Sequence, residues 1–119
     1  MTYTVFNSQN SDRAWSGLSA RDAAELMITR DDGYGFEFRP EADGVGWRLW
    51  VTLVGGGGNH PMVSSRHFSL TMDRDAAEAE ICAEIIAERR WGRMEVMTDA
   101  EFEAVMAQLA ADNAEEDAA

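Results

Sequence analysis

The chain has 119 residues, 45% of them apolar, with 11 aromatic side chains and a formal net charge of −12. That length suits a single domain with a modest core, and the aromatic content argues against a disordered acidic tail. The acidity argues against direct binding of DNA, RNA or an anionic membrane, and no apolar run is long enough to span a bilayer. Lysine is absent, so every positive side chain is an Arg. The charge is skewed: residues 73–119 carry 14 acids against four Arg, while residues 1–72 carry eight against six. A single cysteine, Cys82, excludes an intrachain disulfide and fits a reducing compartment. The N-terminus, MTYTVFNSQNSDR, lacks the basic start and apolar stretch of a signal peptide. These features lead to the expectation of a cytoplasmic protein.

In chain order, Thr2 to Phe6 reads as a strand and Asn7 to Asp12 as a turn. Ser16 to Arg30 reads as a helix, with Ala20, Ala23, Ala24 and Met27 at i, i+3, i+4 and i+7 and Ser19 as its cap. Tyr34, Phe36 and Phe38 alternate with Gly35, Glu37 and Arg39, the pattern of a half-buried strand. Pro40 to Gly46 contains the turn signal Asp43-Gly44. Trp47, Leu49, Val51 and Leu53 form the apolar side of a second strand. Beyond the glycine run Gly55 to Gly58, Phe68, Leu70 and Met72 form that of a third.

The remainder reads as helical. Arg74 to Arg90 places Ile81, Cys82, Ile85 and Ile86 on one face, with Asp73 and Asp75 at the start and Arg89-Arg90 at the end, an order that suits the helix dipole. Trp91-Gly92 marks the stop. Thr98-Asp99-Ala100-Glu101 matches a capping box, followed by a stripe of Phe102, Val105, Met106 and Leu109. The expected fold is α+β: an antiparallel sheet of three to four strands packed against helices, in the order β-α-β-β-β-α-α. One domain is expected over residues 1–112, with a frayed acidic tail at 113–119.

The chemistry-bearing residues form no catalytic motif. Gly55 to Gly58 lacks the Lys and following helix of a phosphate loop, so a hairpin connection is expected. His60 and His67 stand seven apart without the further converging ligands that zinc requires; no metal or cofactor is expected. Cys82, among isoleucines, reads as a small buried hydrophobe rather than a thiolate. Trp47 falls on the apolar face. Trp50 falls on the opposite one, beside Glu37, Arg39, Arg48 and His67, where it is a candidate recognition residue.

The acids give the sharpest candidate. Glu80, Glu84 and Glu88 follow i, i+4, i+8 and so line one side of a helix about 6 Å apart; Asp99 and Glu103 repeat the spacing on the next. Phosphates on a DNA strand advance by about 3.4 Å each along the axis, so a rigid carboxylate row is able to imitate them in a basic groove. Acids at i+4 from acids lower helix stability, which points to a benefit elsewhere.

The stretch GYGFEFRPEADGVGWRLWVTLV, followed by SLTMDRDAAEAEI and MTDAEFEAVM, resembles small proteins of high-GC alphaproteobacteria and their phages. Small size, acidity, scarcity of Cys and an α+β pattern without catalytic motifs resemble the inhibitors of phages and mobile elements, notably anti-CRISPR proteins and other DNA mimics. The resemblance implies a non-enzymatic inhibitor in the host cell that occupies a basic nucleic-acid channel or a subunit surface of a CRISPR effector. It transfers no functional residue. The alternative is an interaction module, such as an immunity protein, antitoxin or adaptor, that uses or dimerises through the Trp50 face. A small enzyme is the third reading.

Overall fold

The structure is a computed structural model that describes residues 1–30, 33–42, 44–53 and 62–118. Gly55 to Gly58, His60 and Asp43 lie outside the described residues, and of His67 only the backbone is described. The order of elements is β1 (Tyr3–Asn7), β2 (Asn10–Leu18), α1 (Ala20–Arg30), β3 (Gly33–Pro40), β4 (Trp47–Leu53), β5 (Met62–Ser69), α2 (Arg74–Ala87), β6 (Arg90–Trp91), β7 (Met94–Thr98) and α3 (Asp99–Ala118). The α+β class with antiparallel sheets holds. The order and sheet size match only roughly, because the described residues form two sheets, β2-β1-β7-β6 and β3-β4-β5.

The strands that sequence periodicity misses all belong to the first sheet. β2, NSDRAWSGL, has no β-branched residue and little alternation. It is a strand because β1 pairs with it, and shifts of register after Tyr3 and Phe6 erase any clean period of two. β6 and β7 form a hairpin across Gly92, at φ 58°. Trp91-Gly92 therefore belongs to a strand turn and not to the helix stop that the sequence suggests. β7 then pairs along the whole of β1, Val5 opposite Val96 and Tyr3 opposite Thr98.

Helix α1 starts after β2, at Ala20 rather than Ser16. Ser19 caps it, its hydroxyl accepting from the Asp22 amide at 3.2 Å. Asp73 caps α2 in the same way, accepting from the Ala76 amide at 3.0 Å. The far end of α2 departs from expectation. The helix ends at Ala87 with Glu88 as its cap and no basic residue in the last turn; Arg89 swings to φ 66° and Arg90 enters β6. Thr98 and Glu101 form the expected capping box, the Glu101 amide donating to the Thr98 hydroxyl at 3.1 Å and the Thr98 amide to Glu101 at 3.3 Å. α3 continues to Ala118, through a segment rich in Ala and Glu, which are strong helix formers.

The two helices α1 and α2 lie together and pack on both sheets, α1 against β1, β7 and β3, α2 against β4, β5 and β6. One core results, from Val5, Met94 and Val96 of the first sheet, Leu49 and Val51 of the second, Met27 and Ile28 of α1, and Ile81, Cys82 and Ile85 of α2. The third strand is out of phase with its expected pattern. β5 stops at Ser69, which is fully buried opposite Trp47, whereas Leu70 and Met72 lie beyond it at 74% and 58% exposure. Pairing with Trp47, which borders the core, puts Ser69 on the buried side of the sheet.

α3 is the exception to this packing. Phe102 meets Phe6 at 5.5 Å between ring centroids, but Val105 and Leu109 are 42% and 49% exposed. The radius of gyration, 17.3 Å, exceeds the roughly 13.5 Å of a compact domain of this length.

Candidate functional site

Burial of Ala77, Ile81, Cys82 and Ile85 against the core orients α2 and turns its opposite side outward. On that side Glu80, Glu84 and Glu88 are exposed, at the expected spacing of one turn. They are not equivalent. Glu80 accepts a 2.9 Å hydrogen bond from the buried Ser69 hydroxyl and so ties α2 to the end of β5. Glu88 is the C-cap residue, its amide bonded to the Glu84 carbonyl at 3.3 Å. A carboxylate there opposes the helix dipole. The remaining acid in the middle of α2, Glu78, turns the other way and pairs with Arg21 of α1.

Asp99 and Glu103 share a helix but not a role. The Asp99 carboxylate accepts from the hydroxyls of Thr2 and Thr4, the latter at 2.6 Å, and from the Gly17 amide at 3.2 Å. It thereby fastens the start of α3 to β1 and β2. The two hydroxyls, and after them the Gly17 amide, hold its carboxyl below the ordinary value against a smaller opposing effect of desolvation. Glu103, one turn on, is exposed. Between them Glu101 binds Arg89 at 2.9 Å, joining the exit of α2 to the entry of α3. That guanidinium, helped by the Thr98 amide, pulls the Glu101 carboxyl down as well.

Trp50 lies on the outer side of the second sheet, half-buried, as its position in the alternation predicts. The Arg39 guanidinium sits 5.3 Å over its ring and pairs with Glu37 at 2.9 Å, and Arg48 pairs with Glu41 at 2.5 Å. This face satisfies its own charges. Trp47 borders the core and donates from Nε1 to the Met72 carbonyl at 3.2 Å. Cys82 is 1% exposed, and burial, then the nearby Glu78, push its thiol up to about 12. A group so protonated is no nucleophile at neutral pH.

Two features of the surface were not visible to sequence reasoning. A groove of about 680 Å³ runs between β2 and α1, floored by Trp15, Leu18 and Leu26 with Asp22 and Glu25 at its side. Those carboxylates do not converge on the groove: both approach Arg21, at 3.7 and 2.7 Å. Arg30 stacks 5.3 Å over Trp15. No signal in the sequence marks this groove, because β2 itself is not legible as a strand. The second feature is the exposure of the α3 stripe, whose spacing was legible and whose lack of cover was not.

Among the described residues, no three His, Cys, Asp or Glu side chains are grouped to hold a metal ion, and no helix is long and apolar enough to cross a membrane. The fold and the candidate site define an acidic α+β protein with carboxylates arrayed on the outer side of a helix. No protein-family model matches the chain, and neither does any curated protein or solved structure.

Proposed function

We propose that this protein is a non-catalytic inhibitor of the anti-CRISPR kind, which uses the acidic outer side of α2 to occupy a basic, nucleic-acid-binding surface of a CRISPR effector complex. One observation carries the reading. Glu80, Glu84 and Glu88 stand exposed in a row on a helix whose opposite side is anchored in the core. Neither helix propensity nor the dipole accounts for the C-terminal end of that row. An acid at the C-cap and no base in the last turn lower helix stability, and a basic partner turns the same charges to advantage. The net charge of −12 gives such an encounter a long-range electrostatic steer.

Glu80 is the wrong residue to reverse, since the buried Ser69 hydroxyl depends on it. The test is therefore the double variant Glu84→Arg with Glu88→Arg, assayed for inhibition of DNA binding by a panel of purified CRISPR effector complexes. The native chain is expected to inhibit at least one of them, less well as salt rises. The variant is expected to lose at least about tenfold in affinity, measured at a temperature where circular dichroism shows it folded. Normal inhibition by the variant removes the row from consideration, and failure of the native chain against every complex removes the reading itself. The Trp50 face has less in its favour as an interaction or dimerisation surface, because Arg39, Glu37, Arg48 and Glu41 already neutralise one another around it.

A further inference from the structure

α3 is a helix whose packing requirement is met at one end only. Its first turn is fixed by the capping box, by Asp99 and by Phe102 on Phe6. Past Glu101, the described side chains are exposed except the half-buried Phe102 and Met106. Helices in proteins draw most of their stability from a packed apolar face, and this one carries such a face: Phe102, Val105, Met106 and Leu109 form one ridge. At 100° per residue, Glu101 and Asp112 fall on one flank of that ridge and Glu103 on the other. Residues 99–119 contain seven acids and no Arg.

The charges decide what covers the ridge. A second α3, laid parallel or antiparallel, would set acids against acids at a separation within the screening length of about 8 Å. The apolar surface exposed at Val105 and Leu109 is also far short of the roughly 800 Å² per partner of a stable interface, so the acidic flanks would have to enter any dimer. A helix with Lys or Arg beside its own apolar ridge meets both demands, burying the stripe and neutralising the flanks.

We propose that α3 is a docking arm for a basic amphipathic helix of a partner protein, with Val105, Met106 and Leu109 receiving the partner's apolar ridge and Glu103 and Asp112 its cations. The proposal uses α3 and not the α2 row, and it stands whether or not that row binds a nucleic-acid channel.

The probe is a fluorescein-labelled Leu/Lys amphipathic peptide of about 18 residues, a length matched to α3, with binding read by anisotropy. The test variant is Val105→Gln with Leu109→Gln. Both positions are exposed, Gln is a good helix former, and every charge is retained. The native chain is expected to bind the peptide, and the variant to bind at least about tenfold more weakly with unchanged circular dichroism. The Glu84→Arg, Glu88→Arg variant is expected to bind it as the native chain does. Equal binding by the Gln variant would mean a charge attraction without docking and overturns the proposal. So does absence of binding, loss of binding in the α2 variant alone, or sedimentation of the native chain as a dimer that the Gln substitutions dissociate.

Discussion

Asp99 joins parts of the chain that no local pattern connects. Its carboxylate collects the hydroxyls of Thr2 and Thr4 and the amide of Gly17, and Thr4, itself fully buried, also meets Ser16 at 3.0 Å. Read along the sequence, Asp99 belongs with Glu103 as one step of an acid row; in the fold it is a fastener, and any recognition role competes with that one. Its lowered carboxyl fixes the sign of a pH effect. The stabilisation is complete above the unfolded value, about pH 4, and is lost as pH falls through the folded value. Glu101, lowered by Arg89, acts in the same direction. The thermal midpoint is therefore expected to be level from neutral pH down to about pH 5 and to fall below about pH 4. Asp99→Asn is expected to melt lower at neutral pH and to show a shallower acid decline by circular dichroism. An unaltered acid decline would place the pH dependence on other carboxylates.

At the scale of elements, the junction between α2 and β6 is the least comfortable. Arg89 adopts φ 66°, a conformation in which glycine is the usual helix-ending residue, while its amide bonds the Ile86 carbonyl at 2.9 Å and its carbonyl receives the Val96 amide at 3.0 Å. The chain is held there from both sides. Because Arg89→Ala and Arg89→Gly both remove the bond to Glu101, their difference isolates the backbone. Urea unfolding is expected to find the Gly variant more stable than the Ala variant by about 1 kcal/mol. Equal stability would mean that the left-handed conformation carries no strain at this position.

The same junction shows what was legible in the sequence. Capping signals at Ser19, Asp73 and Thr98 are local and chemical, and all three act as read. Strong alternation marked β3 and β4, and with them the division between Trp47 and Trp50. β2 and the β6–β7 hairpin were not legible: β2 lacks β-branched residues and its register shifts against β1, β6 is two residues long, and β7 depends on pairing with β1, far back along the chain. Nor was the end of β5, where Ser69 is buried and Leu70, beyond the strand, is exposed. For the candidate site, the spacing of Glu80, Glu84 and Glu88 was visible. The ties of Glu80 to Ser69 and of Asp99 to Thr2 and Thr4 depend on tertiary neighbours and were not.

Taken whole, the molecule extends 65 Å along its longest axis against 17 Å along its shortest. The exposed arm implies a division of labour: the core supplies stability and α3 supplies reach. Removal of residues 110–119 is expected to shift the thermal midpoint by no more than about 2 °C, since the described side chains there, 110–114, are exposed and such residues contribute little. The same truncation is expected to lower the radius of gyration measured by small-angle scattering. A large loss of stability would show the arm to be part of the folding unit. In the sheet β2-β1-β7-β6, β1 is sandwiched between a neighbour a few residues away and one at residues 94–98. During synthesis, β1 and β2 emerge early but their sheet has to wait for β7, and Asp99 follows one residue later to lock it. Until then the edge of β1 that β7 will cover stands open as a template for pairing with other chains. The interval between emergence of β1 and arrival of β7 therefore adds a hazard of aggregation that the finished sheet, with β1 covered on both sides, does not carry.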